Sequence, residues 1–448
     1  MVVRMPETFN WRGIMYYRIL NNDLREWHSP ETDITIPIIY DNNETGNMTF
    51  GDDILRGHIL VVGGPRTGKT NFLLQLARNC RRAYPDSLFV FKDVKGDFLP
   101  LYRAGDKLCS FYPIPGEYDY FCPNLVKECM QTSHPEDESR EIASKLFKDR
   151  VNNSGGNRFF PRAAQQIYEA YFTTVLRRCD GVHYPTHKEI SRQLRRMSID
   201  DMRTRLEMET DLQGALTNIV QSGNTPISNQ AAGVMAEFNQ FISSFFIGMM
   251  AEDGVDTVHD FLNAPDGSAL FLEYDMKREE SANILFRLIL SLLIQNKLSS
   301  ASSNRKVFLF LDEFPILKGD YGILNALHVG AGNGLRIIGA LQSKEQVYSI
   351  CEGRDIEHVG NSILGGFSTL VGFHPNDEQT VSFIQHRIGE DNVGYVSLGL
   401  SRYDSPHQIL QREPLVSSRN INALRLGEAF IKMREYDYQK VRFRKFER

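Results

Sequence analysis

The sequence predicts an α/β fold in which a mainly parallel sheet is covered by helices and interrupted by an inserted all-α domain. Three observations predict it. Apolar strand-like runs alternate with helical patterns along most of the chain. One such run, HILVV (His58 to Val62), breaks into glycines and resumes at helical spacing. Between about Glu136 and Asp256 the strand signal stops and only helical patterns remain.

Residues 1–55 read as an N-terminal segment with short strands: ITIPIIYDN suggests one, and NETGN a turn. Residues 56–135 and 257–448 read as the α/β domain. After HILVV its strands are expected at Leu88–Lys92, Ala269–Tyr274, Val307–Leu311, Ile337–Leu341 and Thr369–Phe373, with a helix over Ser281–Leu298. Residues 136–256 read as the all-helical insertion, in stretches such as AAQQIYEAYFTTVLRR, THKEISRQLRRM and GVMAEFNQFISSFF. The acidic run PEDESRE marks its solvated boundary.

Bulk properties narrow the class. The chain has 448 residues, 42% hydrophobic and 24% charged, which is ordinary for a globular protein of about two domains. A net charge of −5 argues against a wholly basic face for duplex DNA, but leaves room for a basic channel inside a ring. Six cysteines show no CxxC pair and no Cys/His ligand spacing, so reduced thiols and no zinc site are expected. No signal-peptide pattern opens the chain, and the expectation is a cytoplasmic protein. The longest apolar patches, Ile284–Ile294 and Phe241–Ala251, fall short of the roughly 20 residues that span a bilayer and read as buried helices.

The loop after HILVV is GGPRTGKT, matching G-x-x-x-x-G-K-[ST] with Gly63, Gly68, Lys69 and Thr70. It has the preceding strand and following helix that the motif requires, with Phe72, Leu73, Leu76, Ala77 and Cys80 on the apolar helix face. Glycines let backbone N–H groups turn inward around a phosphate, and the helix N-terminus adds partial positive charge. The expected phosphate cradle is Gly63, Gly64, Pro65, Arg66, Thr67, Gly68, Lys69, Thr70 and Asn71. Lys69 would reach the β- and γ-phosphates of ATP, and the Thr70 hydroxyl would ligate Mg²⁺.

A metal-holding carboxylate is then expected on a second strand, and KVFLFLDEFPIL (Lys306 to Leu317) supplies one. Asp312 would hold Mg²⁺ through water and Glu313 would act as general base. Gln342, ending IIGALQS, would touch the γ-phosphate or its water; a solvated Gln is the alternative. The segment LFVFKDVKGDF ends another strand in Asp93, Lys95, Gly96 and Asp97, which by themselves read as a surface turn.

With these pieces placed, the sequence resembles the TraD/TraG-type coupling proteins of type IV secretion, within the HerA/FtsK group of P-loop motors. The matching stretches are GGPRTGKT, DVKGDF, LFLDEFP, GLRIIGALQS and NINALRLGEAFIKM (Asn420 to Met433), with FFPRAAQQIYEAYF (Phe159 to Phe172) at the start of the helical insertion. The resemblance implies a RecA-like P-loop NTPase that forms a hexamer with ATP at subunit interfaces. It implies DNA, single-stranded or duplex, in a central pore, and relaxosome or effector proteins docking on the helical domain. Such proteins usually begin with membrane-spanning helices; this sequence shows none, so the expectation is either a soluble family branch docked by a partner or a motor used elsewhere. The family's trans-acting arginine position reads as Ala331, implying slow intrinsic hydrolysis or a finger from another segment such as Arg354 or Arg387; Arg336 is the nearest arginine, but in this register it starts the next strand.

Two features bear on cargo. Arg192, Arg195, Arg196, Arg203 and Arg205 cluster in the helical insertion, where they would contact phosphates or simply form a solvated face. The tail KVRFRKFER (Lys440 to Arg448) would stack on bases or form an edge strand with solvated cations. Three functional readings remain: an ATP-driven translocase, a nucleotide-gated docking receptor with little turnover, and a DNA-processing or defence translocase of the same group.

Overall fold

The computed structural model describes residues 3–4, 14–19, 34–40, 42–93, 95–155, 157–218, 229–273, 279–299, 305–313, 322–351, 355–397, 407–434 and 436–446. The chain divides into two compact units, one of residues 1–91, 97–101 and 302–448, the other of residues 92–96 and 102–301.

The chief elements of the first unit are β1 (Thr35–Tyr40), β2 (Thr45–Thr49), β3 (Ile59–Val62), α1 (Lys69–Ala83), β4 (Leu88–Asp93, whose last two residues pass to the second unit), β5 (Val307–Leu311), β6 (Leu335–Leu341), α2 (Glu345–Ile350), α3 (Ile356–Gly365), β7 (Thr369–Phe373), α4 (Glu378–Ile388), β8 (Glu428–Lys432) and β9 (Gln439–Phe443). Their strands lie in the order β2-β1-β9-β8-β7-β3-β6-β5-β4. Strand β3 runs parallel to β6 and β7, and β6 parallel to β5. From β7 outward through β8, β9, β1 and β2 every pairing is antiparallel.

Strands β3 and β5 are unbroken apolar runs, as befits parallel strands covered on both faces, while β6 carries one cation, Arg336. Every residue of β3, β5 and β6 is buried. Aromatic rings fill one layer between strands: Phe89 stacks on Phe308 at 5.1 Å and Phe91 on Phe310 at 5.3 Å. Helix α1 buries Phe72, Leu73, Leu76, Ala77 and Cys80, the face its sequence spacing predicts.

Strand β9 is not an edge strand, nor a base-stacking arm. It lies between β8 and β1, and Phe443 sits 4.8 Å from the Phe72 ring and 5.8 Å from Phe373. Alternating Val441 and Phe443 face the core, so the aromatic-basic alternation of this tail is the period-2 signature of a half-buried strand. A separate antiparallel sheet joins Val3–Arg4, Ile14–Ile19, Glu390–Ser397 and His407–Pro414.

In the second unit, Lys107–Cys109 and Ala269–Glu273 pair in parallel. From residue 135 to 251 the described regular elements are all helical, including Pro135–Asn153, Phe159–Arg177, His187–Arg196, Ile199–Glu207 and Asn229–Phe245. Capping boxes at Thr186 and Ser198 start two of them. Phe147 packs on Phe241 at 4.1 Å and on Tyr168 at 5.7 Å. The apolar patch Ile284–Ile294 lies in the buried helix Glu279–Ser299, where Arg287 Nη1 donates to Asp149 at 2.7 Å. Among the described residues no helix is long and apolar enough to cross a membrane.

The five arginines of the insertion do not form one phosphate-facing surface. Arg205 donates to Thr174 Oγ1 at 2.6 Å with its guanidinium 4.6 Å from the Tyr171 ring; Arg195 donates to Phe246 O at 2.8 Å; Arg203 pairs with Glu207 at 2.7 Å. Packing and pairing occupy three of them.

Glu128 lies 3% exposed, and its Oε2 accepts the Val258 N–H at 2.5 Å at the start of the helix Val258–Leu262. Burial pushes its carboxyl up to about 7, only partly offset by the Val258 and His259 amides. A raised carboxyl binds its proton more tightly folded than unfolded. Its stabilising contribution is therefore full below the unfolded value of 4.5 and is lost as pH rises to about 7. Denaturant melts of wild type and Glu128→Gln at pH 5 and pH 8 should show a smaller loss of stability across this window in the variant.

Candidate functional site

Strand β3 runs directly into loop 63–68, and α1 begins at Lys69. Backbone bonds tie the loop to its neighbours: Gly63 N–H donates to Leu341 O (3.2 Å), Gly64 N–H to His374 O (2.7 Å), and Gly427 N–H to Thr67 O (2.9 Å). Thr67 Oγ1 donates to Gly64 O at 2.8 Å. A Cβ at Gly63, at φ +157°, would stand 2.6 Å from Phe373 Cβ, so glycine suits the close approach there, while the Asn376 amide packs against Gly64. Gly68, at φ +118°, is the N-cap of α1 and has no side chain to cap it, which leaves the first amides of the helix for a ligand. Pro65 and Arg66 form the exposed apex, with Arg66 at φ +59°.

Lys69 Nζ donates to the loop's own carbonyls, Gly63 O at 2.5 Å and Gly64 O at 2.8 Å. Thr70 is half-buried in the first turn of α1. Asn71 is turned to another task. Its Nδ2 donates to Arg444 O at 2.8 Å and its Oδ1 accepts Phe446 N–H at 2.6 Å, so its amide anchors the chain beyond β9. Gln75 adds a bond to the same Arg444 carbonyl at 2.8 Å.

The acidic pair reaches the same edge of the sheet. Val62 is opposite Leu341, and Leu311 is opposite Gly339, so the residues following β3, β6 and β5 emerge side by side. Gln342 Nε2 donates to Glu313 Oε1. Glu313 sits at φ +55°, a left-handed conformation that costs a non-glycine residue about 1–3 kcal/mol and that marks functional sites. A carboxylate oxygen of Asp97 lies within 4.8 Å of one of Asp312. These hard oxygens suit a divalent cation such as Mg²⁺. Asp97 comes from DVKGDF, so at least its last acid is more than a surface turn.

Motif reading missed the supports. His374 O, Asn376 and Gly427 brace the loop from the ends of β7 and the start of β8. Gln346 Oε1 accepts the Gln342 N–H at 2.8 Å. Gly427 stands within the family-like stretch Asn420–Met433, but none of the four carries a spacing signal.

Arg336 is a buried structural cation. It lies 2% exposed at the opposite, N-terminal end of β6, donates to Ala331 O at 3.1 Å, and pairs with Asp52 at 3.2 Å. Burial opposes ionisation of Asp52, but Arg336 and Lys306 outweigh it and hold the carboxyl below its usual range. Burial, aided by Arg336, pushes the neighbouring His58 down to about 4, and His58 Nδ1 accepts the Ile337 N–H at 3.0 Å. Arg387 gives its guanidinium to the carbonyls of Phe367 and Leu364. Arg354 lies outside the described residues.

A glycine loop after one parallel strand, with an acidic strand one place beyond its neighbour, gives the chain the fold of the RecA-like P-loop NTPases. A family model described as the type IV secretion-system coupling protein DNA-binding domain matches residues 43–443, and the chain belongs to that family. No curated protein matches it. Among solved structures it is similar to the bacterial conjugative coupling protein TrwBdeltaN70 in its unbound monoclinic form, with TM-score 0.70 and 19% identity over 90% of this chain and 88% of that one. The plasmid coupling protein TrwB in complex with ADP and Mg²⁺ gives TM-score 0.68 and 19% identity over 89% and 87%. VirB4 of Thermoanaerobacter pseudethanolicus is more distant, at TM-score 0.52 and 11% identity over 93% and 98%.

If Arg336 is structural, Arg336→Met should lower folding stability by about 1.5–3 kcal/mol, the worth of its charged hydrogen bonds. ATP turnover per folded molecule should stay near wild type. Urea melts and steady-state turnover measured on the same preparations separate the two effects.

Proposed function

We propose that the chain is an ATP-driven, ring-forming translocase that couples hydrolysis to the passage of DNA, or of a protein–DNA adduct, through a type IV secretion system. The observation that carries this reading is the Gln342–Glu313 contact at the sheet edge where β3 and β5 also deliver loop 63–68 and Asp312. Family membership and the nucleotide complexes of TrwB support it.

In this reading Lys69 exchanges its two loop carbonyls for the β- and γ-phosphates of ATP, while the first amides of α1 meet the phosphate oxygens. Thr70 and Asp312 would hold Mg²⁺, with Asp97 beside Asp312, and the ion would supply positive charge against the terminal phosphates. Glu313 takes the proton of the attacking water, and Gln342 aligns that water and holds Glu313 between turnovers. Residues 136–256 form the cargo-docking domain for relaxosome or effector proteins. Six chains assemble around a DNA-filled pore, and a membrane-bound partner keeps the assembly at the inner face of the cell membrane.

The second reading, a nucleotide-gated receptor with little turnover, is favoured by one observation. Lys69 is engaged by its own loop and Glu313 by Gln342, so both reacting groups rest in internal contacts. Ala331 at the expected arginine position points the same way.

Turnover with and without single-stranded DNA decides between them: DNA-stimulated hydrolysis supports the translocase, and nucleotide-dependent assembly without stimulation supports the receptor. Glu313→Gln should keep ATP affinity within a few-fold and lower kcat by about 10²–10⁴. Lys69→Ala should lose ATP binding itself, read by equilibrium titration with a fluorescent ATP analogue.

A further inference from the structure

A cavity of about 580 Å³ opens between α3 and α4 in the first unit. Lys344, Arg387 and His386 line it, together with Ser382, Phe383 and Leu364. Among the described residues no carboxylate lines it. Elsewhere cations are commonly met by acids: Arg177 alone contacts Glu136, Glu209 and Asp211 at 2.8, 2.9 and 2.7 Å. Here Lys344 lies 5.1 Å from the Tyr348 ring, and Arg387 meets only backbone carbonyls among the described residues. Among the described residues, then, no carboxylate answers these two charges at the cavity, and low-dielectric walls concentrate their field. Buried Leu364 and half-buried Phe383 add an apolar side that suits a flat ring.

The cavity is also joined to the candidate site. Lys344 follows Gln342 by two residues, and its N–H donates at 2.9 Å to Oγ1 of Thr380, which is fully buried on α4. The helix that forms one wall is thus hydrogen-bonded to the strand end that holds Glu313.

We propose that this cavity is a contact site for single-stranded nucleic acid: Lys344 and Arg387 attract a phosphodiester, His386 and Ser382 offer it hydrogen bonds, and Phe383 receives a base. The assignment rests on the DNA-translocase reading and deepens it, since it names where the strand touches and how its arrival is passed to Gln342.

The test uses the full chain and a fluorescein-labelled oligo(dT), with anisotropy followed between about 50 and 200 mM salt. The double variant Lys344→Gln/His386→Gln should bind several-fold more weakly. Its log-affinity against log-salt slope should be shallower by about 0.7, the value of one single-strand phosphate contact. Ser382→Asp, which puts a negative charge at the mouth without touching Lys344, should weaken binding further. ADP affinity should not change in either variant, and oligonucleotide stimulation of turnover should fall. Wild-type affinity and slope in both variants would overturn the site while leaving the DNA reading intact. Absence of oligonucleotide binding by the wild type would overturn both. Inorganic phosphate alone binding as tightly as the oligonucleotide would mark a small-anion site and overturn the strand assignment. Loss of assembly mass in sedimentation, with DNA affinity unchanged per assembled chain, would make the cavity a subunit contact and overturn it too.

Discussion

In the parallel run β3-β6-β5, Val62 stands opposite Leu341 and Leu311 opposite Gly339, and this register decides what meets at the edge of the sheet. A slip of one residue in β6 would send Gln342 to the other face and leave Glu313 without its amide partner. The register is held by burial, since all seven residues of β6 are inaccessible and any slip would expose apolar side chains or bury polar ones. Arg336 adds a second lock. A guanidinium buried in a central strand can occupy only the position where Asp52 and the Ala331 carbonyl receive it.

The chemistry of the loop was legible because each residue type answers a local demand. Gly63 stands against Phe373 Cβ, Gly68 takes a left-handed turn, and Lys69 is long enough to fold back over the loop. The acidic strand drew notice only beside the glycine loop, since an acidic pair at a strand end is common by itself and the loop is what calls for a metal-holding carboxylate. What supports these groups was not legible. His374 acts through its backbone carbonyl, which any residue possesses, and Asn376 and Gly427 act by proximity across the fold. Asn71 fitted the cradle by position alone, yet its amide faces the chain beyond β9.

Charge patterns misled for a related reason. Arg195, Arg203 and Arg205 look like a phosphate-binding array in one dimension, but their partners, Phe246, Glu207 and Thr174 with Tyr171, lie on other turns and helices. The aromatic-basic tail likewise reads as a mobile arm until its pairing on both sides is known. Helical content over the insertion was recovered well because amphipathic periodicity is local information. The second unit's reach beyond it was not, because Lys107–Cys109 finds Ala269–Glu273 across more than a hundred intervening residues.

Strand β9, caught between β8 and β1, has a consequence for how the molecule is made. The central sheet of the first unit joins Thr35–Tyr40 to Gln439–Phe443, and the edge of β1 stays open until the later segment exists. Residues 102–301, by contrast, supply nearly all of the second unit in one continuous stretch. A chain made only as far as residue 438 therefore carries an open edge on β1, a template for unwanted pairing.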